Sequence, residues 1–305
     1  MSPSFAGVIP PLVTPLSADG DLDLASLERL VGRMLDAGVH GLFALGSSGE
    51  VAFFDDAMRA RVLDAVTGCV AGAVPVLAGC IDMQTSRVLA HVRAAEAAGV
   101  DGIVATAPFY AITGPQEIEA HFRALGAAAS VPVLAYDLPV CVHTKLTPEL
   151  LLTLGRDGVI AGVKDSSGDD VSFRRLALAN RAAGEPLALF TGHEVVVDGA
   201  YLSGAHGSVP GLGNIDPAGY VRLHDAATRG EWDAVRAEQD RLAQLMEIAF
   251  VVRGKTGPAA GVGAFKTALQ LLGVFEHNTM SVPMTALEGE NVEAVRRVLA
   301  GVGLL

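Results

Sequence analysis

The sequence predicts an α/β fold, a (β/α)8 TIM barrel with a C-terminal extension of three helices, and three observations carry that expectation. Short runs rich in Val, Ile, Leu and Ala recur eight times. Each run is followed by a Gly, Ser or Pro turn and then by apolar residues at helical spacing, as parallel strands with helical crossovers require. The strand pattern then stops near residue 223 and only helical segments follow.

The runs are Phe5–Thr14, Gly41–Leu45, Val74–Cys80, Gly102–Ala107, Val131–Asp137, Val159–Asp165, Leu187–Thr191 and Gly207–Pro210. Their starts lie roughly 20 to 35 residues apart, the length of one strand–helix unit. Between them, Ala25–Ala37, Asp56–Val70, Thr85–Ala98, Glu117–Ala128, Pro148–Leu154 and Val171–Ala182 read as helices. Thr147-Pro148 gives a capping hydroxyl followed by proline at the first helical position, and Gly38 and Gly99 read as terminating glycines. No GxGxxG follows the first run, and polar residues sit after many strands, which favours a closed barrel over an open doubly wound sheet. Gly230–Val252, Pro258–Leu272 and Gly289–Leu299 read as the three added helices. The expected division is a catalytic barrel over residues 1–223 and a helical extension over 224–305.

Half of the 305 residues are hydrophobic, so the chain can bury a large core, and the net charge is −12. Scattered basic residues on an acidic chain argue against nucleic-acid binding. Three cysteines, Cys69, Cys80 and Cys141, show no CxxC spacing, so neither a disulfide framework nor a zinc ribbon is expected. No targeting segment or run of about 20 apolar residues is visible, and a cytoplasmic location is expected.

Catalysis in such barrels sits at the C-terminal ends of the strands. The sixth run ends Gly162-Val163-Lys164-Asp165-Ser166-Ser167-Gly168, and Lys164 is one of only four lysines in the chain. Desolvation at the end of a buried strand lowers a lysine pKa towards the range of a nucleophilic amine. Lys145 falls in a loop, Lys255 between the added helices and Lys266 within one of them, so Lys164 alone is aimed at the barrel mouth. Tyr136 lies near the end of the fifth run, one strand away, where a phenol could move protons during imine formation; its alternative is a core aromatic. In Gly46-Ser47-Ser48-Gly49-Glu50 two glycines flank two hydroxyls. That turn could hold a carboxylate on its N–H groups, or be a plain turn.

These three segments, with Tyr136-Asp137-Leu138-Pro139 in register between the other two, resemble the signatures of the dihydrodipicolinate synthase / N-acetylneuraminate lyase superfamily over nearly the whole chain. The resemblance implies a class I, pyruvate-dependent aldolase without metal or organic cofactor. Lys164 would form the imine, Tyr136 would transfer protons, and Ser47 and Ser48 would contact the pyruvate carboxylate. It further implies that Tyr110 reaches a neighbouring subunit's site, that Gly192 and Val209 line the pyruvyl pocket, and that the chain forms a homotetramer.

Departures from the family pattern bear on substrate. Synthases of dihydrodipicolinate carry an Arg shortly after the tyrosine, whereas this chain reads Val140-Cys141-Val142-His143-Thr144. Sialic acid lyases have a hydroxyl-rich loop after the eighth strand, where this chain has Ser208-Val209-Pro210-Gly211-Leu212-Gly213-Asn214. The expected reaction is therefore cleavage of a 2-oxo-3-deoxy sugar acid to pyruvate and an aldehyde. His143, with His193, Glu194 and His206, is a candidate contact for the substrate's hydroxyls or a simple loop residue. The alternatives are 4-hydroxy-tetrahydrodipicolinate synthesis, a related dehydration, a metal-dependent lyase with His193, Glu194 and His206 as ligands, and an oxo-acid-binding barrel without turnover. A phosphorylated substrate also stays open.

Overall fold

The computed structural model describes residues 5–305. Eight parallel strands form one sheet: β1 (Gly7–Val8), β2 (Leu42–Ala44), β3 (Val76–Gly79), β4 (Gly102–Thr106), β5 (Val133–Asp137), β6 (Gly162–Asp165), β7 (Ala188–Thr191) and β8 (Gly207–Ser208). Their order is β1-β8-β7-β6-β5-β4-β3-β2, and a parallel bridge between Pro11 and Phe43 joins the two ends into a barrel. At that seam Phe43 N donates to Pro10 O at 3.0 Å and Leu12 N to Phe43 O at 2.8 Å. Pro10, lacking an N–H, leaves one rung out. For the same reason the long first run, Phe5–Thr14, yields a strand of only two residues.

The helices alternate with the strands: α1 (Leu24–Asp36), α2 (Asp56–Val70), α3 (Thr85–Ala97), α4 (Pro115–Ala128), a single turn α5 (Pro139–Val142), α6 (Pro148–Arg156), α7 (Asp170–Ala182), α8 (Val197–Ser203) and α9 (Pro217–Thr228). Three more follow, α10 (Trp232–Phe250), α11 (Pro258–Leu271) and α12 (Glu290–Gly301). Their starts are set locally. The side chains of Asp23, Asp55, Thr147, Asp169 and Asp216 each accept a backbone N–H from the first turn of α1, α2, α6, α7 and α9. Gly38 and Gly99 end α1 and α3 at φ +76° and +80°, conformations that glycine adopts without a Cβ penalty.

The sequence pattern does not predict α8 and α9. One is only seven residues long, and the other follows a capping Asp216-Pro217 pair hidden behind the glycine-rich loop after β8. The division expected at 223/224 accordingly falls inside α9, and the added helices begin at Trp232. They are not a separate body: α10 packs on α8 and α9, and α11 on the loop after β8. No helix among the described residues is long and apolar enough to cross a membrane.

Two apolar layers result. The larger lies between strands and helices, and a smaller one, including Ile9, Phe43, Leu134, Tyr136, Phe190 and Val209, fills the barrel. Side chains alternate between the layers with the period-two pleat. On β5 and β6 this sends Leu134, Tyr136 and Lys164 inwards, and Ala135, Val163 and the aspartates Asp137 and Asp165 outwards.

Candidate active site

The register of the sheet builds the site. Tyr136 on β5 pairs with Lys164 on β6, and Lys164 with Phe190 on β7. Lys164 keeps 5% of its surface and Tyr136 3%, so the amine is withdrawn from bulk water. Lys164 Nζ stands 4.1 Å from the centroid of the Tyr136 ring and 4.9 Å from that of Phe43 across the barrel. Tyr136 Oη lies 3.5 Å from Ser47 Oγ, a long contact of the sort that tightens when a ligand enters.

The other three lysines are engaged. Lys145 is ion-paired with Asp137 and lies 3.5 Å from Asp165. Lys255 Nζ donates to Thr285 O at 2.9 Å. Lys266 is ion-paired with Glu50, both side chains being fully buried. Lys164 alone has no hydrogen-bond or carboxylate partner among the described residues. Sequence reasoning treated Lys145 and Lys266 as unremarkable, and a signal was present only for the first. The Asp residues after Tyr136 and Lys164 mark strand ends, and their outward carboxylates need a cation. Burial pushes the Asp137 carboxyl up, against the opposing pull of Lys145.

The loop after β2 turns sharply, because Leu45 takes a left-handed conformation at φ +55°. This brings Leu45 O so close to β3 that a Cβ on Gly79 would stand 1.9 Å from it, so only glycine fits there. Gly49 N and Glu50 N close the turn on Gly46 O and Ser47 O at 3.0 and 3.1 Å. Among the described residues the amides of Ser47 and Ser48 donate to no acceptor, and the Ser47 hydroxyl is exposed beside Tyr136. Two free N–H groups with two hydroxyls suit a small carboxylate.

Gly192 borders the amine directly. A Cβ there would lie 2.1 Å from Ser166 Oγ and 3.2 Å from Lys164 Cε. The serine hydroxyl can rotate away; the lysine stem must shift. Gly192→Ala is therefore expected to lower kcat/KM by roughly 10- to 100-fold, with little change in Tm. Equal kcat/KM in the two proteins would remove Gly192 from the pocket wall. Val209, buried in the barrel layer, continues that wall on the strand beyond, where its N–H donates to Thr191 O at 2.8 Å.

Glu194 joins the opposite side. Its carboxylate accepts from Gly211 N and, at 3.3 Å, from Leu212 N, and a Cβ at Gly211 would lie 2.7 Å from Glu194 Oε1 and 3.2 Å from Ser48 Oγ. Burial pushes the Glu194 pKa up to about 7, although the two amides and the Lys164 charge pull it down. Between its ordinary value of 4.5 and about 7, the folded chain therefore holds a proton that the unfolded chain releases. The stability this contributes is complete at low pH and disappears as pH rises through about 7. Relative to the native chain, Glu194→Gln should flatten the decline of Tm across that window in thermal unfolding scans; superimposable curves would contradict it.

Other expected residues lie elsewhere. Tyr110 is 89% exposed with φ +72°, and touches none of these groups. His143 sits exposed at the end of α5 in a left-handed conformation, without a hydrogen bond to the site. His206 is at the opposite end of the barrel, where its Nδ1 accepts from Leu189 N at 3.0 Å. The trio His193, Glu194 and His206 is thus split between the two ends and cannot form one metal centre. His40, His224 and Asp225 do lie close together below the barrel. There, however, His40 Nδ1 accepts the Val8 N–H at 3.1 Å, which leaves the proton of the neutral ring on Nε2 and no lone pair for a cation.

Known proteins match this architecture from end to end. An uncharacterized DapA-like lyase of Halobacterium salinarum is 34% identical over 98% of this chain and 94% of its own length. A 4-hydroxy-tetrahydrodipicolinate synthase of Phenylobacterium zucineum is 30% identical over 97% of each chain. Among solved structures, the dihydrodipicolinate synthase of Bacteroides thetaiotaomicron superposes with a TM-score of 0.92 at 28% identity, covering 99% of this chain and 100% of that one. YagE of E. coli K12, a prophage protein of the dihydrodipicolinic acid synthase family solved in complex with pyruvate, gives 0.93 at 26% identity with the same coverage. The barrel and its matches define a class I carbon–carbon lyase, the pyruvate-dependent type that works through a Schiff-base lysine. The chain belongs to the dihydrodipicolinate synthetase family, whose sequence model matches residues 4–301.

Proposed function

We propose that the chain cleaves a 2-oxo-3-deoxy sugar acid to pyruvate and an aldehyde through an imine on Lys164. The observation that carries this reading is the buried, unpartnered amine stacked over the Tyr136 ring on the neighbouring strand. The substrate carboxylate takes the free amides and hydroxyls of Ser47 and Ser48. The Lys164 amine attacks the oxo carbon; Tyr136 supplies and removes the protons as water leaves and the iminium forms. The iminium draws the electrons of the C3–C4 bond while the C4 hydroxyl gives its proton to Tyr136, the aldehyde departs, and the enamine takes up a proton at C3 and is hydrolysed by water to pyruvate and the free Lys164 amine. These steps call on no metal or organic cofactor. Gly192 and Val209 shape the pyruvyl pocket, and Glu194, packed against Gly211 beside Ser48, borders the departing half.

Condensation with aspartate semialdehyde is the second reading, favoured by the many relatives named as 4-hydroxy-tetrahydrodipicolinate synthases. Against it, the segment after Tyr136 offers no free cation for the second carboxylate: Val140 and Cys141 are exposed on α5, and Lys145 is taken by Asp137 and Asp165. We place this chemistry in a cytoplasmic homotetramer. The exposed Tyr110, with Ile112 beside it at 72% exposure, supports a subunit contact in which Tyr110 enters a neighbour's site. A coupled assay of pyruvate release across 2-oxo-3-deoxy sugar acids, run beside a condensation assay with aspartate semialdehyde, tests the choice. Turnover confined to the condensation would overturn the cleavage reading.

A further inference from the structure

The strongest unexplained feature is a buried charge pair behind the serine loop. Glu50 and Lys266 have fully buried side chains and are ion-paired, although they come from opposite ends of the chain. Lys266 Nζ also donates to Thr279 O at 2.7 Å, and Glu50 Oε1 accepts Ser281 N at 2.9 Å. Burial lowers the Lys266 pKa, while the Glu50 carboxylate pulls it back up. A buried pair of this kind gains little over a well-packed apolar pair, so its placement calls for an explanation.

Its position supplies one. Glu50 is the residue whose N–H closes the serine turn on Ser47 O at 3.1 Å, and its own backbone is left-handed at φ +59°. The turn itself consists of two glycines and two serines, which give it almost no side-chain packing of its own. Thr14 Oγ1 fixes Gly49 O at 2.9 Å, and the remaining side-chain anchor is Glu50. There is also an electrostatic reason. An uncompensated carboxylate two residues from Ser48 would repel the carboxylate of a bound oxo acid, and Lys266 cancels it. On the other side of the mouth, α10 repeats the arrangement with neutral groups, Gln239 Nε2 donating to Glu194 O at 3.1 Å.

We infer that Glu50 and Lys266 are positioning residues: the Lys266 side chain, extended from the added helix α11 to Glu50, holds the Ser47–Ser48 loop in shape for the substrate carboxylate. The C-terminal extension is thereby part of the active-site construction. This inference rests on the carboxylate role proposed for that loop.

Lys266→Met alone would leave Glu50 buried and unpaired, so the decisive variant is Glu50→Gln with Lys266→Met, which is neutral and of similar volume. Two readouts are taken on the full chain. The first is borohydride trapping of pyruvate as a function of pyruvate concentration. The double variant should need ~10- to 100-fold more pyruvate for half-maximal trapping, with the rate at saturation nearly kept. The second is amide hydrogen exchange, which should accelerate across residues 46–51 and stay unchanged in β4, β5 and β6. A folded double variant with native half-saturation and native exchange overturns the inference and leaves the pair a purely structural one. If the native protein itself traps no pyruvate, the functional reading fails, whereas the exchange comparison, which uses no pyruvate, still decides whether the pair holds the loop.

Discussion

Lys164→Met is expected to abolish imine trapping and to reduce turnover at least about a thousand-fold, the scale on which nucleophile removal acts in covalent catalysis. The variant should fold, because methionine fills the same narrow space among Tyr136, Phe43 and Phe190 without a charge to bury. Mass spectrometry of the native protein after pyruvate and borohydride should place one adduct on the peptide holding Lys164. With only four lysines in the chain, the assignment is unambiguous. An adduct on Lys145, Lys255 or Lys266, or one that persists in the methionine variant, would sink the mechanism.

Tyr136→Phe separates proton transfer from imine chemistry. Phenylalanine keeps the ring under the amine at its 4.1 Å stacking distance and removes only the hydroxyl that faces Ser47. Turnover should fall by roughly 10²- to 10⁴-fold, the usual contribution of a positioned acid–base group. Pyruvate should still be trapped, more slowly, since the Lys164 amine and the Ser47–Ser48 loop are intact. Retention of full turnover would return Tyr136 to the role of a core aromatic.

The strand count, the helical extension and the inward lysine were legible because each depends on local pattern: short apolar runs, capping residues, and a cation inside an apolar segment. Tyr136 and Lys164 followed from the same logic, since equal position on adjacent parallel strands puts two side chains side by side. The outward aspartates carried a signal in their place after Tyr136 and Lys164, but the Lys266–Glu50 pair carried none. Residues 50 and 266 are joined only when the chain has closed on itself, and a lysine at a helical position gives no sign of which face is buried. His206 misled for a related reason. It stands at the start of a strand, and the short β8 made the start and the end hard to tell apart. The first strand was overextended because ten residues of apolar sequence conceal the two prolines that interrupt its pairing.

Those prolines have a wider consequence. A barrel whose ladder lacks a rung in one place will breathe there first, and in this molecule the weak stitch runs beside Phe43, whose ring faces the amine. Transient parting of the two edges would let water reach the lysine before any helix is lost. The seclusion of that amine from bulk water is guarded by this join in the wall, so inactivation by warming should run ahead of unravelling.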